Sequence, residues 1–187
     1  MGGIEILALT VILILGAVGV VRGPSKELGV TMALVVVLAI FAQFDALVDF
    51  AQLPARVNAT LANLSLDSDD PVQQRMVVLF LYSAVLIITA FLAYQGQDTL
   101  AFKWQPPPGA SRVLLGGLVG ALNGYLIFGT FWYYLNQLNY PIQRYAWFRA
   151  EFTEAAQTMI NLLPQSLASG MIMAALALAL LWWRILK

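Results

Sequence analysis

Five stretches of this chain are apolar almost without interruption, over residues 4–21, 28–44, 76–94, 113–134 and 167–183. About 20 such residues in helical conformation cross a hydrocarbon core of about 30 Å. In lipid every backbone N–H and C=O must find its partner within the protein, so a segment of this kind spans as an α-helix. The expected fold is therefore all-α, a polytopic bundle of five transmembrane helices. A four-span alternative treats 167–183, the last and one of the shortest blocks, as a re-entrant or surface helix.

Composition agrees: 60% of the residues are apolar and 11% charged, against roughly 45–50% and about 25% in an ordinary soluble domain. With no Cys and no His, disulfides, thiol nucleophiles, iron–sulfur clusters and imidazole ligands are all excluded, as is the commonest general base. A serine mechanism lacks its histidine, and an intramembrane aspartyl mechanism needs two Asp on facing helices. No catalytic, cofactor or metal site is expected, and the chain reads as a non-enzyme. Ten basic residues balance ten acidic ones, which leaves no positive excess to hold nucleic acid.

The connections are short and punctuated. Arg22-Gly23-Pro24-Ser25-Lys26-Glu27 separates the first two blocks and reads as a tight hairpin, with Arg22, Lys26 and Glu27 as snorkelling or hairpin-closing charges. The second helix is expected to continue past Asp45 and Asp49 to about Leu53, where Pro54 stops it. An interfacial helix is expected over about 55–66, and Asp70-Pro71 specifies a capped start for the third span. Pro106-Pro107-Pro108-Gly109 breaks the chain before the fourth. Between Pro141 and Pro164 apolar residues keep to one helical face and Glu151, Glu154, Thr158 and Asn161 to the other, an amphipathic surface helix over about 142–162. The amino terminus lacks the basic region of a secretory signal, so the first block is expected to be a retained span.

Orientation follows from Lys and Arg near the span ends. Arg22, Lys26, Lys103, Arg112, Arg184 and Lys187 fall on one side, Arg56, Arg75, Arg144 and Arg149 on the other. The amino terminus is expected outside and the carboxyl terminus in the cytoplasm.

Three groups of residues stand out. Gly116, Gly120 and Gly124 recur every fourth position in the fourth span, a stripe on which another backbone can approach closely. It reads either as a seam for a second subunit or membrane partner, or as an internal seam against Gly16 and Gly19 of the first span. Asn123 in the same span must find hydrogen-bond partners in lipid, as interhelical glue or as part of a solute path. Asp45 and Asp49, four apart on one expected helix face, offer a shared cation or proton site or are simply solvated at the interface.

Val21-Arg22-Gly23 followed by Lys26-Glu27-Leu28, together with Ser111-Arg112-Val113-Leu114-Leu115-Gly116 leading to Gly120-Ala121-Leu122-Asn123-Gly124, resembles the colicin V production protein family of bacterial inner membranes. The likeness covers about residues 4–137. It implies a small polytopic inner-membrane protein linked to production or export of a peptide toxin and to envelope homeostasis, with no active site to carry over. Pro24 stands where the family usually has an aromatic residue and Asn123 where an Arg is common, and the chain beyond about Asn139 looks like an addition. A small channel or solute transporter, using Asn123, Asp45 and Asp49, and a membrane anchor subunit of a larger complex are the competing expectations.

Overall fold

The structure is a computed structural model, described here for residues 3–63, 69–96, 100–104, 106, 108–144 and 154–186. Among these residues it is all-helical, without strands. Four helices are long and apolar enough to cross a membrane: α1 (Gly3–Arg22), α2 (Pro24–Leu47), α4 (Pro71–Gln95) and α5 (Ala110–Gln137). Between α2 and α4 lies α3 (Leu53–Ala62). After α5 come a 3-10 turn (Pro141–Arg144), α6 (Glu154–Ile160), α7 (Pro164–Leu167) and α8 (Gly170–Leu186). At 17 residues, α8 is about 26 Å long.

Surface and interior are inverted relative to a soluble bundle. Leu13, Val21, Leu47, Phe80, Met171 and Ile185 are each more than two-thirds exposed, while Glu5, Glu27, Thr31, Asn123 and Thr130 are buried. Such a surface is stable only where the solvent is itself hydrocarbon.

The first junction departs from the expected hairpin loop. α1 runs through Arg22, and a single residue separates it from α2. Gly23 has φ 85°, a conformation open to glycine at no steric cost. Pro24 takes the first helical position, where its missing N–H has no partner to lose. Because α2 begins at Pro24 rather than near Leu28, Glu27 is drawn inside the helix and fully buried. At its other end α2 stops at Leu47, short of Leu53, because Val48 is extended (φ −114°, ψ 130°). Asp49 then accepts a hydrogen bond from the Ala51 amide at 3.1 Å and closes a turn instead of continuing the helix. Asp45 and Asp49 therefore do not share a helix face. α4 starts where Asp70 caps it, its side chain accepting from the Val72 amide at 2.9 Å.

The two expected interfacial segments are shorter than the sequence suggests. α3 covers 53–62; residues 64–66 of the first expected helix and 145–153 of the second lie outside the described residues, and α6 keeps Glu154–Ile160 of the latter.

The long helices alternate in direction. α1 runs antiparallel to α5, their most extensive neighbour contact in the bundle: Gly19 lies against Gly116 and Gly120, and Ile12 against Gly124. α2 runs parallel to α5, with Glu27 bonded to Asn123 and Asp45 to Tyr134. α4 opposes both, placing Tyr94 at Glu27 and Tyr82 at Asp45. α8 runs down α2 in the opposite direction, from Gly170 beside Ala42 to Trp183, which packs on Phe102, itself bonded to the Ser25 carbonyl. Arg22, Lys26, Lys103, Arg112 and Arg184 consequently gather at one end of the bundle.

The α1–α5 seam tolerates almost nothing. A Cβ added at Gly120 would lie 2.9 Å from the Gly19 Cα, and one at Gly124 2.8 Å from the Ile12 Cα, whereas one at Gly16 would meet its nearest neighbour at 3.4 Å. Gly120→Ala is therefore expected to destabilise the bundle by about 1–3 kcal/mol through overpacking, and Gly16→Ala to be tolerated. Thermal unfolding in detergent, followed by circular dichroism, checks the contrast.

Candidate functional site

Four helices meet at Glu27. The one-residue break at Gly23 folds the end of α1 back towards the first turn of α2, and the glycine seam brings α5 close behind. Arg22 Nη1 and Glu27 Oε1 lie 3.1 Å apart, with the Glu27 side chain at 0% exposure and that of Arg22 at 13%. Their approach is ionic rather than along an N–H direction, for neither atom makes a hydrogen bond among the described residues. The other carboxylate oxygen, Oε2, accepts from Asn123 Nδ2 at 2.8 Å and from the Tyr94 hydroxyl at 3.2 Å.

Asn123 is committed on both sides. Its Nδ2 also donates to the Glu27 carbonyl at 3.1 Å, and its Oδ1 accepts from the Thr31 hydroxyl at 2.7 Å. Thr31 also stands 3.1 Å from the Glu27 carbonyl, but a hydroxyl has one proton to give, and the shorter contact takes it. Arg22 is held from the α4 side as well. Its Nη2 donates to the Tyr94 carbonyl at 3.2 Å, satisfying one of the carbonyls that every helix end leaves open, and its guanidinium carbon sits 4.4 Å from the Tyr94 ring centroid, a cation–π distance.

A second polar group lies at the other end of three of these helices, α2, α4 and α5. Asp45, half-buried, accepts from the Tyr82 hydroxyl at 2.5 Å and from the Tyr134 hydroxyl at 2.7 Å. The two tyrosine rings stack at 4.0 Å, and Phe41 meets both edge-on. Between the two polar groups α2 contributes Leu34 and Leu38, both at 0% exposure.

The residues singled out in the sequence thus separate. Asn123 joins Glu27 and Arg22; Asp45 sits far along α2 among tyrosines; Asp49 is exposed in the turn beyond. The expected path through Asn123, Asp45 and Asp49 is not assembled: Leu34 and Leu38 of α2, both fully buried, stand between Asn123 and Asp45, and Asp49 lies in the turn beyond α2. Arg22 and Glu27 pair across the α1–α2 junction, as hairpin-closing charges that are buried rather than snorkelling, and Lys26 is half-buried at the same end. Gly116, Gly120 and Gly124 face α1 within the chain, so a second subunit would have to displace α1 to use that stripe.

Sequence reasoning missed Thr31, Tyr94, Tyr82 and Tyr134, and the burial of Glu5 in the first turn of α1. One local signal was available: Glu27 and Thr31 are four apart, on one face of a helix that opens with Pro24. The tyrosines carried none, since interfacial anchoring and buried hydrogen bonding use the same residue.

The described residues contain no group of His, Cys, Asp or Glu suited to a metal. Comparison with family models, with curated proteins and with solved structures finds no match to this chain. What the structure defines is a class: a helical, multi-pass membrane protein with a charged pair sealed inside its bundle.

Asp45→Leu strands two phenol hydroxyls and is expected to cost about 1–3 kcal/mol for each. The same substitution in a Tyr82→Phe, Tyr134→Phe background should cost much less, and thermal unfolding of the four proteins measures the difference.

Proposed function

We propose that this chain is a non-enzymatic, five-pass protein of the bacterial inner membrane, a membrane factor in peptide-toxin production or export and in envelope homeostasis. It works as a rigid scaffold in the bilayer rather than as a conduit. The observation that carries the scaffold reading is the state of Asn123. Both its amide donors go to Glu27 and its carbonyl accepts from Thr31. A solute-binding amide needs donors that reach the solute, whereas both donors of Asn123 are spent on Glu27 and the side chain is wholly buried.

The fifth pass is supported by the course of α8, which accompanies α2 from the level of Ala42 to that of Ser25. By the excess of Lys and Arg, the end holding Arg22, Lys103, Arg112 and Arg184 faces the cytoplasm, and the amino terminus lies outside. The toxin link comes from the resemblance to the colicin V production family. Since α1 occupies the glycine stripe, partners meet the bundle on another face.

Two measurements test the reading. The chain has no native Cys, so an impermeant maleimide applied to intact cells should label Asn63→Cys and leave Ser111→Cys unlabelled; the reverse pattern overturns the orientation. For function, cells lacking the protein should release less of a peptide toxin they encode, and the wild-type chain should restore release. Unchanged release overturns the toxin role. In liposomes the purified protein should pass no more ions than empty vesicles, and flux that disappears in Asn123→Leu would make it a channel instead.

A further inference from the structure

At the α3 end of the bundle, the turn between α2 and α3, the start of α4 and the end of α5 enclose a pocket of about 280 Å³. Phe50, Pro54 and Leu138 form its apolar walls, and Arg75, Gln137 and Asn139 its polar ones. Arg75 is half-buried and makes no hydrogen bond or ion pair among the described residues. Three carboxylates at this end of the bundle are engaged elsewhere: Asp49 accepts from the Ala51 amide, Asp45 holds Tyr82 and Tyr134, and Asp70 caps α4 through the Val72 amide. A guanidinium with no partner among the described residues, lining a pocket beside two carboxamides, suits an oxyanion that offers two oxygens in one plane.

A second cavity begins one helical turn away. Arg75, Val78, Tyr82 and Val85 follow one another at helical spacing along a single face of α4. The last three line a groove of about 340 Å³ whose exposed lining is wholly apolar, completed by Phe44 of α2 and by Leu53 and Val57 of α3. The start of α3 is the shared wall, with Leu53 turned to the groove and Pro54 to the pocket. A cationic polar pocket beside an apolar groove, on a surface that otherwise meets lipid, matches an amphiphile with an anionic head and a hydrocarbon tail.

We propose that pocket and groove together bind one membrane phospholipid with an anionic headgroup, its phosphate oxygens on the Arg75 guanidinium and an acyl chain in the groove. The phosphodiester supplies a counter-charge for Arg75, which has none among the described residues, and the chain fills a space whose exposed lining is apolar. α3 lies over both parts and holds the lipid at the membrane boundary.

Native mass spectrometry of the full chain in detergent, with phosphatidylglycerol added, reads the bound lipid directly. Wild type should retain one phosphatidylglycerol in preference to phosphatidylcholine. Arg75→Gln should weaken retention about tenfold or more, the loss of a charge-assisted contact, with Arg75→Lys intermediate. Val85→Trp, which fills the groove, should weaken retention as well. Unfolding temperature of the lipid-free protein should not move in Arg75→Gln, because the guanidinium has no partner among the described residues. Equal retention by wild type and Arg75→Gln overturns the proposal, as does retention unaffected by Val85→Trp. Displacement of the lipid by millimolar inorganic phosphate would show a headgroup-sized anion site only and overturn it too.

Discussion

A carboxylate with no exposure to solvent governs how this bundle is put together. Moving an ion of that size into a low-dielectric interior is costly by several kcal/mol even after relaxation, and one counter-charge repays the cost only when the remaining lone pairs are also satisfied. Glu27 answers it by drawing on three neighbouring helices: Arg22 from the end of α1 faces Oε1 as a counter-charge without a hydrogen bond, while Tyr94 from the end of α4 and Asn123 from the middle of α5 both donate to Oε2. Each partner is useful only if its helix arrives at the right depth and rotation. The pair therefore specifies register in a bundle whose remaining contacts, leucine against leucine or lipid, discriminate weakly.

Other features of the fold serve that convergence. A bulkier residue at Gly19, Gly120 or Gly124 would hold α1 off α5 and pull Arg22 away from Asn123 and Glu27. Gly23 and Pro24 allow a one-residue reversal, so that Arg22 and Glu27 face each other instead of standing apart across a loop. At the far end Asp45, Tyr82 and Tyr134 pin α2, α4 and α5 a second time, with Leu34 and Leu38 of α2 fully buried in the interval. Two polar clamps on the same core of helices, α2, α4 and α5, make a stiff frame, and α8 leans on its α2 side.

Much of this was legible in the sequence. Apolar runs located all the long helices, because lipid imposes the same requirement on each, and Asp70-Pro71 marked the start of α4 because capping is a local property. The glycine stripe was visible too, although its partner helix was open to two readings. The errors have one physical origin: a charge was read as a boundary. Arg22 does close α1, but Glu27 reads as lying before the second span and Asp49 as prolonging it, because periodicity registers polarity and not its neutralisation. Whether a carboxylate sits in the headgroups or the core depends on Asn123 and Tyr94, 96 and 67 residues away, and no local window contains them. The turn at Asp49 was missed for a related reason, since Ala46, Phe50 and Leu53 kept helical spacing while Val48 took an extended backbone.

The central claim is that Arg22 and Glu27 act as one buried unit, and a double-mutant cycle on unfolding in detergent tests it most directly. Arg22→Leu alone should cost about 3–5 kcal/mol by leaving Glu27 uncompensated, while Arg22→Leu combined with Glu27→Gln, which keeps acceptors for Asn123 and Tyr94, should cost clearly less than Arg22→Leu by itself. Strictly additive losses, or no loss in either single variant, would contradict the account.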